Sequence, residues 1–217
     1  MLKAVIFDMD GVIIDSEPFH WEVNKRLFKS LGIEISEEEY RHYIGVSNTT
    51  MWGAIKRKHG LLQSVKELAA LQVEGNIDFM KSERVDPVDG VIDLLSNLKK
   101  AGALIALASS SPYQIIGMVL DRFNIKRFFN SVVSGEDFER GKPSPDIFLK
   151  TAAMLGVLPV QCIVIEDATH GVHAARAAGM KCIGFANANS PGQDLSQADK
   201  IVYDFRSLGI DEMLSMV

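Results

Sequence analysis

Cysteine is scarce in this chain: Cys162 and Cys182 are the only two, and neither belongs to a CxxC or Cys/His spacing. That excludes a zinc ribbon or finger and supplies no disulfide framework. Both lie in apolar segments, QCIVIED and KCIGFA, and read as small core residues. No run of lysine or arginine offers a patch for a phosphate backbone, and the net charge is −5. A nucleic-acid binder would show the opposite balance on one face. Long apolar runs are missing too. The N-terminal stretch MLKAVIFDMDG meets two aspartates after a few residues, which fits neither a signal peptide nor a membrane span. Repeats and low-complexity segments are absent. The expectation is a cytoplasmic monomer that engages neither nucleic acid nor membrane.

What is present is ordinary globular composition. The 217 residues are 47% hydrophobic and 24% charged, enough to bury a core over one or two domains. LKAVIF (2–7) is a short apolar run that reads as a buried strand. The pattern then turns helical from about Glu17 to Lys81. Ser36 with Glu39 and Ser64 with Glu67 fit capping boxes, Ser47 fits an N-cap, and Gly32, Gly45 and Gly60 mark breaks. After Asp86-Pro87, strand and helix patterns alternate. Strands are expected at ALIALAS, SVVSG, CIVIED, KCIGFA and KIVYD, with helices between them ending at Gly102, Arg122, Gly156 and Gly179. Such alternation predicts an α/β fold with a doubly wound, Rossmann-like parallel sheet. The expected division is a core of residues 1–15 and 84–217 and an inserted all-helical unit of residues 16–83.

In a doubly wound sheet, ligands bind beyond the carboxyl ends of the strands. Four polar segments fall there: Asp8-Met9-Asp10-Gly11, Ser109-Ser110-Ser111, Gly141-Lys142-Pro143 and Glu166-Asp167. A cleft holding that many carboxylates repels itself unless a cation is present, and hard oxygen donors suit Mg²⁺. A lysine and several hydroxyls suit a phosphate. Acid cluster, lysine and metal together indicate phosphoryl transfer, in which a carboxylate can attack phosphorus. The bland alternatives are that Asp8 and Asp10 form a turn, that the serines cap the next helix, and that Lys142 is a solvated loop residue.

The segments FDMDGV, LASSS, GKPSPDIF and IEDATHGVHAARAAGM together resemble the haloacid dehalogenase-like hydrolase superfamily. A lone DxD is weak; four such segments in order at strand ends are specific. The helical insert resembles this superfamily's four-helix cap, and the chain looks closest to the β-phosphoglucomutase and sugar-phosphatase branch. The resemblance implies that Asp8 is the nucleophile and a metal ligand, and that Asp10 is the acid/base with its backbone carbonyl on Mg²⁺. It implies that Ser109, with Ser110 beside it, and Lys142 meet the phosphate, and that Asp167 and Glu166 hold or flank the metal. On the cap, His20, Gly45, Ser47 and Asn48 would face a small phosphorylated metabolite. His20 sits where the mutases carry a histidine supporting the acid/base aspartate. Asn48, however, stands where they carry an arginine for a second phosphate, and a neutral amide does not replace a bidentate guanidinium. Hydrolysis of small phosphomonoesters is therefore the expected activity, with β-phosphoglucomutase as the alternative. A phospho-accepting switch module is a third reading, set apart by its lack of turnover.

Overall fold

The computed structural model describes residues 2–44 and 46–217, apart from the side chain of Glu17. Gly45 thus lies outside the described residues. The sheet has six strands: β1 (Ala4–Phe7), β2 (Leu104–Ser109), β3 (Ser131–Ser134), β4 (Cys162–Glu166), β5 (Lys181–Phe185) and β6 (Lys200–Val202). Their order is β3-β2-β1-β4-β5-β6, and every pairing is parallel. Each expected strand is present. β1 is central, and the order reverses on either side of it, so this is the switch point where a doubly wound sheet opens a crevice. Phe7 pairs with Leu107 on one side and Ile165 on the other, which sets the residues that follow at a common level.

Alternation along the strands divides the core in two. Val5, Phe7, Ile105, Leu107, Ile163 and Ile165 face one side. There they meet α5 (Val91–Lys100), α6 (Tyr113–Arg122) and α9 (Ile210–Ser215). Ala4, Ile6, Ala106, Ala108, Cys162 and Cys182 face the other, against α7 (Asp146–Leu155) and α8 (Thr169–Ala177). The second face is built largely from small side chains, which lets its helices lie close. Both cysteines are free and buried there.

Between β1 and β2 lie α1 (Glu17–Ser30), α2 (Glu37–Arg41), α3 (Asn48–His59) and α4 (Val65–Ser82). They enclose a small core of their own around Trp52, Phe28, Tyr40, Ile55 and Leu68. The starts follow local chemistry: the Ser36 and Ser47 hydroxyls accept from the N–H groups of Glu39 and Thr50. Ser64 and Glu67 make the full reciprocal box. Gly60 ends α3 in the left-handed conformation. Pro145 precedes α7 as its N-cap. The insert is also tied to the sheet unit. Phe19, Val23, Ile77 and Met80 join the core of the first face, and Arg122 on α6 donates to the backbone carbonyls of Met80 and Glu83.

Replacing Ser64 by Ala removes one half of the α4 box. Urea unfolding should report a loss of about 0.5–2 kcal/mol with an unchanged m-value.

Candidate active site

The four polar segments converge at the carboxyl edge of the sheet. Asp8 immediately follows β1, and its N–H donates to the Ile165 carbonyl, which extends the ladder by one residue. Ser109 and Glu166 are the last residues of β2 and β4. Lys142 reaches the same point from the loop before α7. Its ammonium donates to Asp8 Oδ1 at 2.7 Å, to Glu166 Oε1 at 2.7 Å and to the Ala108 carbonyl at 3.2 Å. All three side chains are nearly shut off from water. The bland reading of Lys142 as a solvated residue is excluded.

Electrostatics follow from this burial. Burial pushes the Asp8 carboxyl up to about 8; Lys142 opposes the shift, while Glu166 and Asp10 add to it. Burial works against the Lys142 charge, but the carboxylates of Asp8 and Glu166 outweigh it and hold the ammonium protonated, above its ordinary range. One cation therefore faces more negative charge than it can neutralise. Asp8, Glu166 and Asp167 each offer a carboxylate oxygen within 4.8 Å of the others, all three residues being buried. This oxygen set fits a hard divalent cation.

Asp10 lives in a different environment from Asp8. His20 Nε2, from α1, lies 3.1 Å from Asp10 Oδ1. Ser111 Oγ donates to Asp10 Oδ2 at 2.7 Å, and Ser109 Oγ lies 3.5 Å from the same oxygen. Burial alone would raise this carboxyl, but the hydrogen bond and charge of His20, with Ser111, hold it down at about 2. Its two oxygens are thus turned to the insert and to the serine loop, away from the Asp8–Glu166–Asp167 group. Two neighbouring aspartates are thus set to opposite tendencies by their partners, and a divalent cation held by the Asp8 group would counter the rise at Asp8.

A family model described as haloacid dehalogenase-like hydrolase matches residues 5–185. The chain belongs to this family. Among its relatives, hexitol phosphatase B of Escherichia coli K12 is 33% identical over 186 residues, covering 84% of this chain and 82% of the relative. β-Phosphoglucomutase of Bacillus subtilis is 33% identical over 220 residues, covering 97% and 93%. The crystal structure of a β-phosphoglucomutase from Clostridium difficile superimposes with a TM-score of 0.87 at 26% identity, covering 99% and 96%. The chain is accordingly a haloacid dehalogenase-type enzyme whose relatives include phosphatases and a phosphomutase. Among its described residues, no helix is long and apolar enough to cross a membrane.

As a member of this family the chain places its remaining candidates as follows. His20, Ser47 and Asn48 line one cavity together with Asp8, Asp10, Ser110, Lys142, Glu166 and Asp167. Glu166 spreads its two oxygens between Lys142 and the Ala168 N–H, which donates at 3.0 Å. Sequence reasoning overlooked several supports. Ser190 Oγ donates to Asp167 Oδ2 at 2.7 Å, and Asn187 Nδ2 donates to the Gly11 carbonyl at 2.9 Å. Both lie in the loop after β5, at the same sheet edge, so the strand-end rule that found the other segments would have reached them. Ser111, rather than Ser109, makes the short bond to Asp10.

Gly11 shows why the first motif ends in glycine. Its φ is +74°, and a Cβ there would lie 1.9 Å from Asp167 Oδ2. Gly32 has a similar φ of +69° with nothing within 4 Å. Gly32→Ala should therefore cost only the left-handed strain, about 1–2 kcal/mol. Gly11→Ala should cost more in the same unfolding assay and should also lower turnover, because Asp167 must move.

Proposed function

We propose that this enzyme is a Mg²⁺-dependent phosphatase of small phosphomonoesters, sugar phosphates among them, working through an aspartyl-phosphate on Asp8. The observation that carries the reading is the pairing of Lys142 with Asp8 at 2.7 Å on the floor of a cavity whose roof is the helical insert. A buried carboxylate beside a buried ammonium is a nucleophile with an anion-binding partner already in place. Asp8, Glu166 and Asp167 would hold the ion. Bound there, Mg²⁺ would offset the surplus carboxylate charge and the charge developing on the transferring phosphoryl group.

The residues divide the work in two steps. The Asp8 carboxylate oxygen bonds to phosphorus as the bond from phosphorus to the ester oxygen breaks, and the departing oxygen takes up the proton shared between His20 and Asp10. The His20–Asp10 pair, now one proton short, takes a proton from water as the water oxygen bonds to phosphorus. The Asp8–phosphorus bond breaks, releasing inorganic phosphate and restoring Asp8. His20 reaches Asp10 from α1, so the proton carrier is coupled to the position of the insert, which acts as a cap that excludes bulk water. A soluble, cytoplasmic site of action and a monomeric state are part of the same proposal.

Mutase action is the second reading, and the His20–Asp10 pair favours it. Asn48 argues against it, because the insert then brings no guanidinium to a second phosphate. One incubation separates the two. Purified enzyme with Mg²⁺ is given β-glucose 1-phosphate and a trace of the 1,6-bisphosphate, and free phosphate and glucose 6-phosphate are measured together. Phosphate is the expected product, from this sugar or from others in a panel of phosphomonoesters. Glucose 6-phosphate without phosphate release would establish the mutase.

Asp8→Asn should reduce turnover by about 10³-fold or more while leaving the circular dichroism spectrum near that of the parent, since Glu166 remains as a partner of Lys142. Near-parental activity in that variant would exclude the covalent step. Chelation of divalent metal should abolish phosphate release, and added Mg²⁺ should restore it.

A further inference from the structure

Three carboxylates are grouped for the ion, and each needs something to aim it. Asp8 and Glu166 are aimed by Lys142, and Glu166 also by the Ala168 N–H. Asp167 is aimed from elsewhere. Its Oδ2 accepts from Ser190 Oγ at 2.7 Å, and the same oxygen rests over Gly11, in the space a Cβ there would take. Seated between the Gly11 backbone and a hydroxyl, the carboxylate has its rotation set. Asp167 and Ser190 are each 4% exposed, so bulk water has little access to replace that hydroxyl.

Ser190 is itself held, because the loop after β5 is fastened at both ends. At its start, Asn187 Nδ2 donates to the Gly11 carbonyl at 2.9 Å. The turn is closed there by the Asn189 N–H, which donates to Asn187 Oδ1 at 2.8 Å, and by the Ser190 N–H, which donates to the Asn187 carbonyl at 3.1 Å. At its end, the Thr169 N–H in the first turn of α8 donates to Gln193 Oε1 at 2.8 Å, and Thr169 Oγ1 accepts from the Asp194 N–H at 2.7 Å. A hydroxyl on a loose loop would follow the carboxylate wherever it turned. One on a loop tied to Gly11 and to α8 dictates where the carboxylate stands.

We infer that Ser190 is a positioning residue for the metal: by holding Oδ2 it keeps the Asp167 carboxylate in the orientation that groups it with those of Asp8 and Glu166. The inference rests on the metal site proposed above. Like charges gathered within 4.8 Å repel, and a carboxylate without an anchor turns away from its neighbours. Groups one step removed from an ion set the direction of its ligands, and their loss costs about 10–100-fold in metal affinity or activity. Ser190 is not among the residues lining the cavity, so it acts on Asp167 and not on the substrate.

The test is a calorimetric titration of Mg²⁺ into chelator-stripped enzyme, for the parent, Ser190→Ala and Ser131→Ala. Ser131 is a buried serine at the start of β3, at the opposite end of the sheet, with its Oγ on Met154 Sδ. Ser190→Ala should bind Mg²⁺ about tenfold or more weakly, and Ser131→Ala should bind it as the parent does. Circular dichroism without metal should be parental in both variants, and the rise in melting temperature on adding Mg²⁺ should be smaller in Ser190→Ala alone. Parental Mg²⁺ affinity in Ser190→Ala would overturn the inference and leave the metal site standing. An equal loss in Ser131→Ala, or a non-native spectrum of Ser190→Ala, would assign the effect to general packing and overturn it too. Absence of Mg²⁺ binding in the parent would overturn the metal site itself, and the role of Ser190 with it.

Discussion

Lys142 Nζ contacts Asp8, Glu166 and the Ala108 carbonyl from a position with almost no access to water. An ammonium in such a place is tolerable only while its carboxylates stay put, since removing one partner of a buried pair leaves an uncompensated charge. The rest of the site is arranged around that constraint. β1 and β4 are neighbours, so Asp8 and Glu166 arrive side by side at the sheet edge. α8 has glycine at position 171, where a Cβ would sit 1.7 Å from Glu166 Oε1. The helix can therefore close over the carboxylate while the Ala168 N–H binds its other oxygen. Asp10 is kept out of this charge cluster by its own partners, His20 and Ser111. That separation allows two carboxylates so close in sequence to have opposite acidities.

The sheet was legible because a parallel strand buried on both faces must be an unbroken apolar run, and helix patterns of a different period set β1 to β5 apart; only the edge strand β6 follows its neighbour without one. LKAVIF, ALIALAS and CIVIED left little else to consider. Strand order was not readable in that way; it follows from packing between distant segments. At the site, Asp8, Lys142 and Asp167 were accessible to reasoning because acids and a lysine at strand ends have few other uses. Ser190 and Asn187 were harder, since serine and asparagine are common in any loop, and only the fold shows that theirs reaches Gly11 and Asp167. Gln72 and Asn76, which line the same cavity from α4, were invisible for another reason. On a helix they read as solvent-facing polar residues until the burial of Trp52 and Gln72 is seen.

The helical insert carries two kinds of information about the reaction on the proposed reading. Its first helix supplies His20 to the proton carrier, and its last lines the cavity with Gln72 and Asn76. Both depend on the insert's own core around Trp52, whose indole holds Gln72 in place. A packing residue is thus also an orienting one.

The two faces of the sheet differ in what a core mutation would do. On the face of α5 and α6, large branched side chains share the load, and loss of a methyl group leaves a void and a weaker fold. On the face of α7, Ala4, Ala106 and Ala108 leave room for little, and Phe148 of α7 lies under Lys142, with the ammonium 5.1 Å from the ring centre. An added methyl there would lift the helix that seats the lysine. Inherited variation in this protein should therefore sort by face: defects of abundance on one side, and a stable but slow enzyme on the other.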